Sequence, residues 1–138
     1  MKVVIDSNIY ISAFLFDRVP EEVVDLGIAG RFKVYSSIYI IGEVRRVLCE
    51  KLGTSDRFAI LAAKRIERIS TVIPVRGNIR GPVPSDPKDG PIIKTCLACR
   101  ADFLVTGDRR LAALEVRGMR TLGPSRFLRH VATAGLIT

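Results

Sequence analysis

The chain has 138 residues, the length of one compact domain covering residues 1–138, and is too short for two ordinary ones. Its 48% hydrophobic content supports a buried core without disulfides, and with no low-complexity tract or internal repeat in view, disorder is not expected. The net charge of +8 comes from 22 Lys and Arg against 14 Asp and Glu, and favours a phosphate-bearing partner, because most of the bases are Arg and the guanidinium fork matches phosphate oxygens.

The opening "MKVVIDSN" does not read as a signal peptide, since Asp6 ends the apolar run after three residues. No stretch approaches a membrane span, so a soluble, cytoplasmic protein is expected. "KVVI" (Lys2 to Ile5) is short, β-branched and apolar, the pattern of a strand buried on both faces. "SNIYISAFLF" follows with helical spacing. "PEEVVDLGIAG" predicts a second helix, with Pro20 in its first turn and Gly30 at its end. "FKVYS" predicts a second strand. A helix is expected from about Ser37 to Leu52, with Ile41, Val44, Val47 and Leu48 as its apolar stripe and Gly53 as its stop. Another amphipathic helix spans Ser55 to Ser70. "TVIPV" reads as an edge strand, because Pro74 cannot donate to a central ladder.

Residues 76–88 form the longest irregular stretch, rich in Gly and Pro. "DGPIIKTCLACRA" predicts a helix with Asp89 as cap and Pro91 in its first turn. It contains Cys96 and Cys99. No second Cys pair or neighbouring His completes a zinc set, so both read as buried small hydrophobes, and Cys49 as a third reduced thiol. "DFLVT" predicts a strand, with Gly107 permitting a tight exit to Asp108. "DRRLAALEVRG" reads as a helix, "MRTL" as a final strand and "PSRFLRHVA" as a last helix. Short apolar strands alternating with helices indicate an α/β fold: three layers, α/β/α, around a central parallel sheet of four to five strands. Such sheets bind ligands beyond the carboxyl ends of their strands.

Four acids are expected at that edge. Asp6 and Asp108 follow strands, Asp89 heads a returning helix, and Glu43 lies early in the third helix. Crowded carboxylates repel unless a cation sits among them. Oxygen-only ligands suit Mg²⁺ or Mn²⁺, which activate water for attack at phosphorus and steady the leaving oxygen. Each acid also has a structural reading. Asp6, Asp89 and Asp108 all make good helix caps, and Glu43 reads equally as a solvated flank residue. Capping and metal binding are compatible.

These residues resemble those of a known family. "VVIDSNIYISAFL", "SSIYIIGEVRRVL" and "SDPKDGPIIKTCLACRADFLVTGDRRL" are similar to the motif blocks of PIN-domain proteins, in the branch of toxins of toxin–antitoxin pairs. The resemblance implies that Asp6, Glu43, Asp89 and Asp108 are the catalytic, metal-binding acids. It places Asn8, Ser12 and Thr106 as polar supports around them. It further implies a Mg²⁺- or Mn²⁺-dependent ribonuclease acting on RNA, homodimers, and a cognate antitoxin that blocks the site. Asp86 lies three residues before Asp89, but Asp89 places Ile92 and Ile93 at the apolar positions of the helix that follows. Gly90 and Pro91 stand where the family often has acidic or polar residues, which makes the pocket rim less acidic.

The competing reading is a non-catalytic PIN module that binds RNA or a protein partner, with the acids surviving as caps. A phosphatase using Asp6 as nucleophile lacks the second acid its chemistry needs, since Asn8 stands there. No G-x-G-x-x-G follows the first strand, which disfavours a dinucleotide-binding domain. Arg109 and Arg110 read as a solvated helix face, Arg76 and Arg80 as exposed loop cations able to steer RNA, and His130 as a surface or packing residue. The aromatic residues are too few and scattered for a base-stacking platform.

Overall fold

The structure is a computed structural model and describes residues 1–75 and 90–135. Asp89, Asp86, Arg76 and Arg80 therefore lie outside the described residues.

Five strands form one parallel sheet in the order β3-β2-β1-β4-β5. They are β1 (Lys2–Ile5), β2 (Lys33–Ser36), β3 (Thr71–Val72), β4 (Phe103–Val105) and β5 (Arg120–Leu122). Val3, Val4 and Ile5 of β1 and all of β4 are buried, as expected for central strands covered on both faces. The register places Ile5 opposite Val105, so the two central strands end level with each other. Chain order reverses between these strands, which makes their shared carboxyl end the switch point where such sheets bind ligands.

The helices are α1 (Ser7–Phe14), α2 (Arg18–Ile28), α3 (Ile38–Arg46), α4 (Asp56–Ile69), α5 (Gly90–Cys99), α6 (Arg109–Ala112) and α7 (Pro124–Thr133). Helix α2 packs closely on β2: a Cβ at Gly27 would lie 2.8 Å from Val34 Cγ2, so no larger side chain fits without movement. Cys96 and Cys99 are both buried in the core, as the apolar reading of the C-x-x-C expects. The ring of His130 lies 4.7 Å from that of Phe103, at the amino end of β4 and away from the switch point. It packs; it does not face the acids.

Four local expectations are revised. The third helix does not run evenly to Leu52. Its last turn, Val47–Lys51, widens to π-helical geometry before Gly53 ends it at φ 67°. Helix α2 begins two residues before Pro20, with Asp17 at its cap. The helix after Asp108 stops after Ala112, and buried Val116 lies beyond it, outside any helix. Gly107 is not conformationally required. Its φ lies outside the left-handed region, and an added Cβ would meet only Asn8 atoms at 3.9 Å.

Candidate active site

Asp6 leaves β1 directly and caps α1, which fixes its carboxylate at the switch point. Its backbone N–H donates to Val105 O (2.9 Å), tying it to the neighbouring strand. Only 7% of the residue is exposed. A carboxylate so buried needs donors, and it has them. Oδ1 accepts from the Ser7 N–H at 2.7 Å, and Oδ2 accepts from the Thr106 hydroxyl at 2.7 Å. Asn8 Nδ2 approaches Oδ2 more loosely, at 3.4 Å.

Glu43, from the exposed side of α3, reaches the same place. The Ser7 hydroxyl donates to Glu43 Oε2 at 3.0 Å and lies 3.4 Å from Asp6 Oδ1. One hydroxyl thus stands between two carboxylates from distant segments. The sequence motifs by themselves give Ser7 no site role. The signal was its place directly after Asp6, where a first-turn hydroxyl lies beside the capping carboxylate.

Thr106 joins the third acid to the first. Its hydroxyl donates to Asp6 and accepts from the Asp108 N–H at 3.0 Å. Asn8 braces the same turn, with Oδ1 accepting from Gly107 N–H at 3.3 Å. Ser12, one turn further along α1, makes no side-chain hydrogen bond among the described residues.

The Asp108 carboxylate has a different environment. It caps α6 by accepting from Arg110 N–H at 2.8 Å, and it pairs with the Arg110 guanidinium at 3.1 Å. Its side chain is 23% exposed. The Arg110 hydrogen bond holds its carboxyl below the ordinary value, against a smaller opposing effect of burial. Asp6 and Asp108 are therefore linked through Thr106, while the Asp108 carboxylate is held by its own helix.

Among the described residues, no group of three or more His, Cys, Asp or Glu side chains is arranged to hold a metal. Asp6 and Glu43 remain as a pair of oxygen donors about one hydroxyl. That set suits Mg²⁺ or Mn²⁺, which take few protein carboxylates and complete their shells with water and phosphate. It suits zinc less well, since zinc sites are built chiefly from His and Cys. Among the described residues, no helix is long and apolar enough to cross a membrane.

A family model described as PIN domain matches residues 2–110, a span that includes Asp6, Glu43, Asp89 and Asp108. No curated protein matches the chain.

Proposed function

As a member of the PIN domain family, to which this chain belongs, it carries a nuclease fold, and we propose that it is a divalent-metal-dependent endoribonuclease. The observation that carries this reading is the buried Asp6 carboxylate, set beside Glu43 at the switch point and supported by Ser7 and Thr106. Hydrolysis of a phosphodiester forms one P–O bond to water and breaks another, and a divalent cation supplies acidified water and neutralises charge on the leaving oxygen.

The chain's own residues have defined parts in this reading. Asp6 and Glu43 would hold Mg²⁺ or Mn²⁺ together with Asp108, and the motif resemblance adds Asp89, which lies outside the described residues. Thr106 and Asn8 orient Asp6 by donating to Oδ2. Ser7 sets the spacing of the two carboxylates. The surrounding charge suits a polyanion. Residues 90–135 carry eight Lys and Arg against three acids, while residues 1–75 are nearly balanced at eleven against nine. A chain of net charge +8 attracts a phosphate backbone electrostatically.

We further propose that the protein is the toxin of a type II toxin–antitoxin pair, acting as a homodimer held in check by a cognate antitoxin. Support for this comes from the motif blocks around Asp6, Glu43 and Asp108, which resemble that branch of the family. The test is cleavage of a single-stranded RNA with Mg²⁺ or Mn²⁺. Cleavage stopped by EDTA and by Asp6→Asn supports the reading; equal cleavage by Asp6→Asn defeats it. The Arg110 clamp on Asp108 favours one alternative, a module that binds RNA without cutting it. That alternative predicts RNA binding with no cleavage under any metal.

A further inference from the structure

One face of α3 carries three chemically distinct side chains. Tyr39, Glu43 and Arg46 stand at i, i+4 and i+7, a spacing that stacks side chains along one side of a helix. They line a cleft of about 490 Å³ whose opposite wall is Pro91 and Ile92, at the start of α5. All three side chains are on exposed residues. Tyr39 is 46% exposed, although aromatic rings ordinarily bury most of their surface. Arg46 is exposed and forms no ion pair with any described residue. Glu43 connects the cleft to Asp6 through the Ser7 hydroxyl.

The combination matches one nucleotide. An aromatic face takes a base by stacking, and an arginine takes a phosphate. Tyr39 and Arg46 are about 10 Å apart along the helix axis, with the acid between them. The base must be unstacked from its neighbours to reach the ring, which points to a single strand and not a duplex. Resting on the reading of Asp6 and Glu43 as a nuclease site, we propose that this cleft holds the nucleotide next to the scissile phosphate of a single-stranded RNA, its base on Tyr39 and a phosphate on Arg46.

A second copy of the chain is the other candidate occupant, since Ile38 beside Tyr39 is 70% exposed. The charges argue against it. A protein interface over this cleft would bury Glu43 and Arg46, and burying charges without well-matched partners is costly.

The experiment is fluorescence anisotropy of a labelled single-stranded RNA hexanucleotide in EDTA, so that nothing is cut. Tyr39→Ala is expected to weaken binding about tenfold, and Tyr39→Phe to leave it nearly unchanged. Arg46→Ala is expected to lower the slope of log affinity against log salt by about 0.7, the loss of one single-strand phosphate contact. Sedimentation velocity on the same variants should show an unchanged oligomeric state. Wild-type affinity in Tyr39→Ala overturns the proposal, as does a changed oligomeric state with RNA affinity intact. The nuclease reading fails separately, through cleavage by Asp6→Asn. Tyr39→Ala with normal RNA binding, beside an inactive Asp6→Asn, would remove this inference alone.

Discussion

Asp6 and Asp108 follow neighbouring parallel strands that end level, and both cap helices, yet their carboxylates occupy different environments. Asp6 comes immediately after Ile5 and stays within the layer between sheet and helices, where Ser7 and Thr106 donate to it. Asp108 comes three residues after Val105. Thr106 and Gly107 carry it outward, to a place where Arg110 of its own short helix can close on it. Position relative to a strand end therefore sets whether an acid is presented to the switch point or absorbed by its own cap. Two residues of added reach separate a buried, shared carboxylate from a partly exposed, locally paired one.

The largest expected effect tests that contrast directly. Asp6→Asn should lower RNA cleavage by at least ~10²-fold, whereas Asp108→Asn should lower it by about tenfold, the scale of losing a supporting group around a metal. Equal losses in steady-state assays would erase the distinction. Thr106→Val is expected to match Asp108→Asn in activity. It removes the hydroxyl that serves both acids, so cleavage should drop about tenfold. Urea unfolding should show a loss of ~1–3 kcal/mol, because a buried carboxylate is left short of a donor. Unchanged stability would mean that the Asp6 carboxylate does not depend on Thr106.

The smallest effect concerns Arg110. Asp108 has a lowered pKa in the folded chain, so it binds a proton less readily there than when unfolded. It therefore stabilises the fold above its ordinary value of 3.8, and this contribution is lost as pH falls through the lower folded value. Arg110→Ala should raise the Asp108 pKa toward that ordinary value and shrink the acid-side loss. The pair is partly exposed, so the stability change should stay below about 1 kcal/mol. A carbon-detected NMR titration of Asp108 checks this; identical titration in wild type and variant would contradict the clamp.

The fold was largely legible because its strands are short, apolar and bounded. "KVVI" and "FLV" announce themselves as doubly buried, and β3 does lie at an edge, although it ends at Val72, short of Pro74. The extent of the helix after Asp108 was not legible. The run "LAALEV" looks helical, yet the helix ends at Ala112 and Val116 is buried from the irregular segment beyond it. The π-helical turn at Val47–Lys51 leaves no trace in a periodicity read over whole turns. Within the site, the placement of Asp6 was readable from its strand. The roles of Ser7 and Tyr39 were not. Ser7 gains its meaning from Glu43, 36 residues away, and Tyr39 from its spacing to Glu43 and Arg46 across a cleft closed by α5. A count of aromatic residues finds no stacking platform, but one exposed ring beside an acid and an arginine needs no platform.

In the proposed nuclease, Asp6 and not Asp108 is the main anchor of the divalent cation. Isothermal titration of Mn²⁺ into the wild type, Asp6→Asn and Asp108→Asn tests it most directly. Binding is expected in the wild type, none in Asp6→Asn, and weakened but measurable binding in Asp108→Asn. Wild-type Mn²⁺ affinity in Asp6→Asn would contradict it.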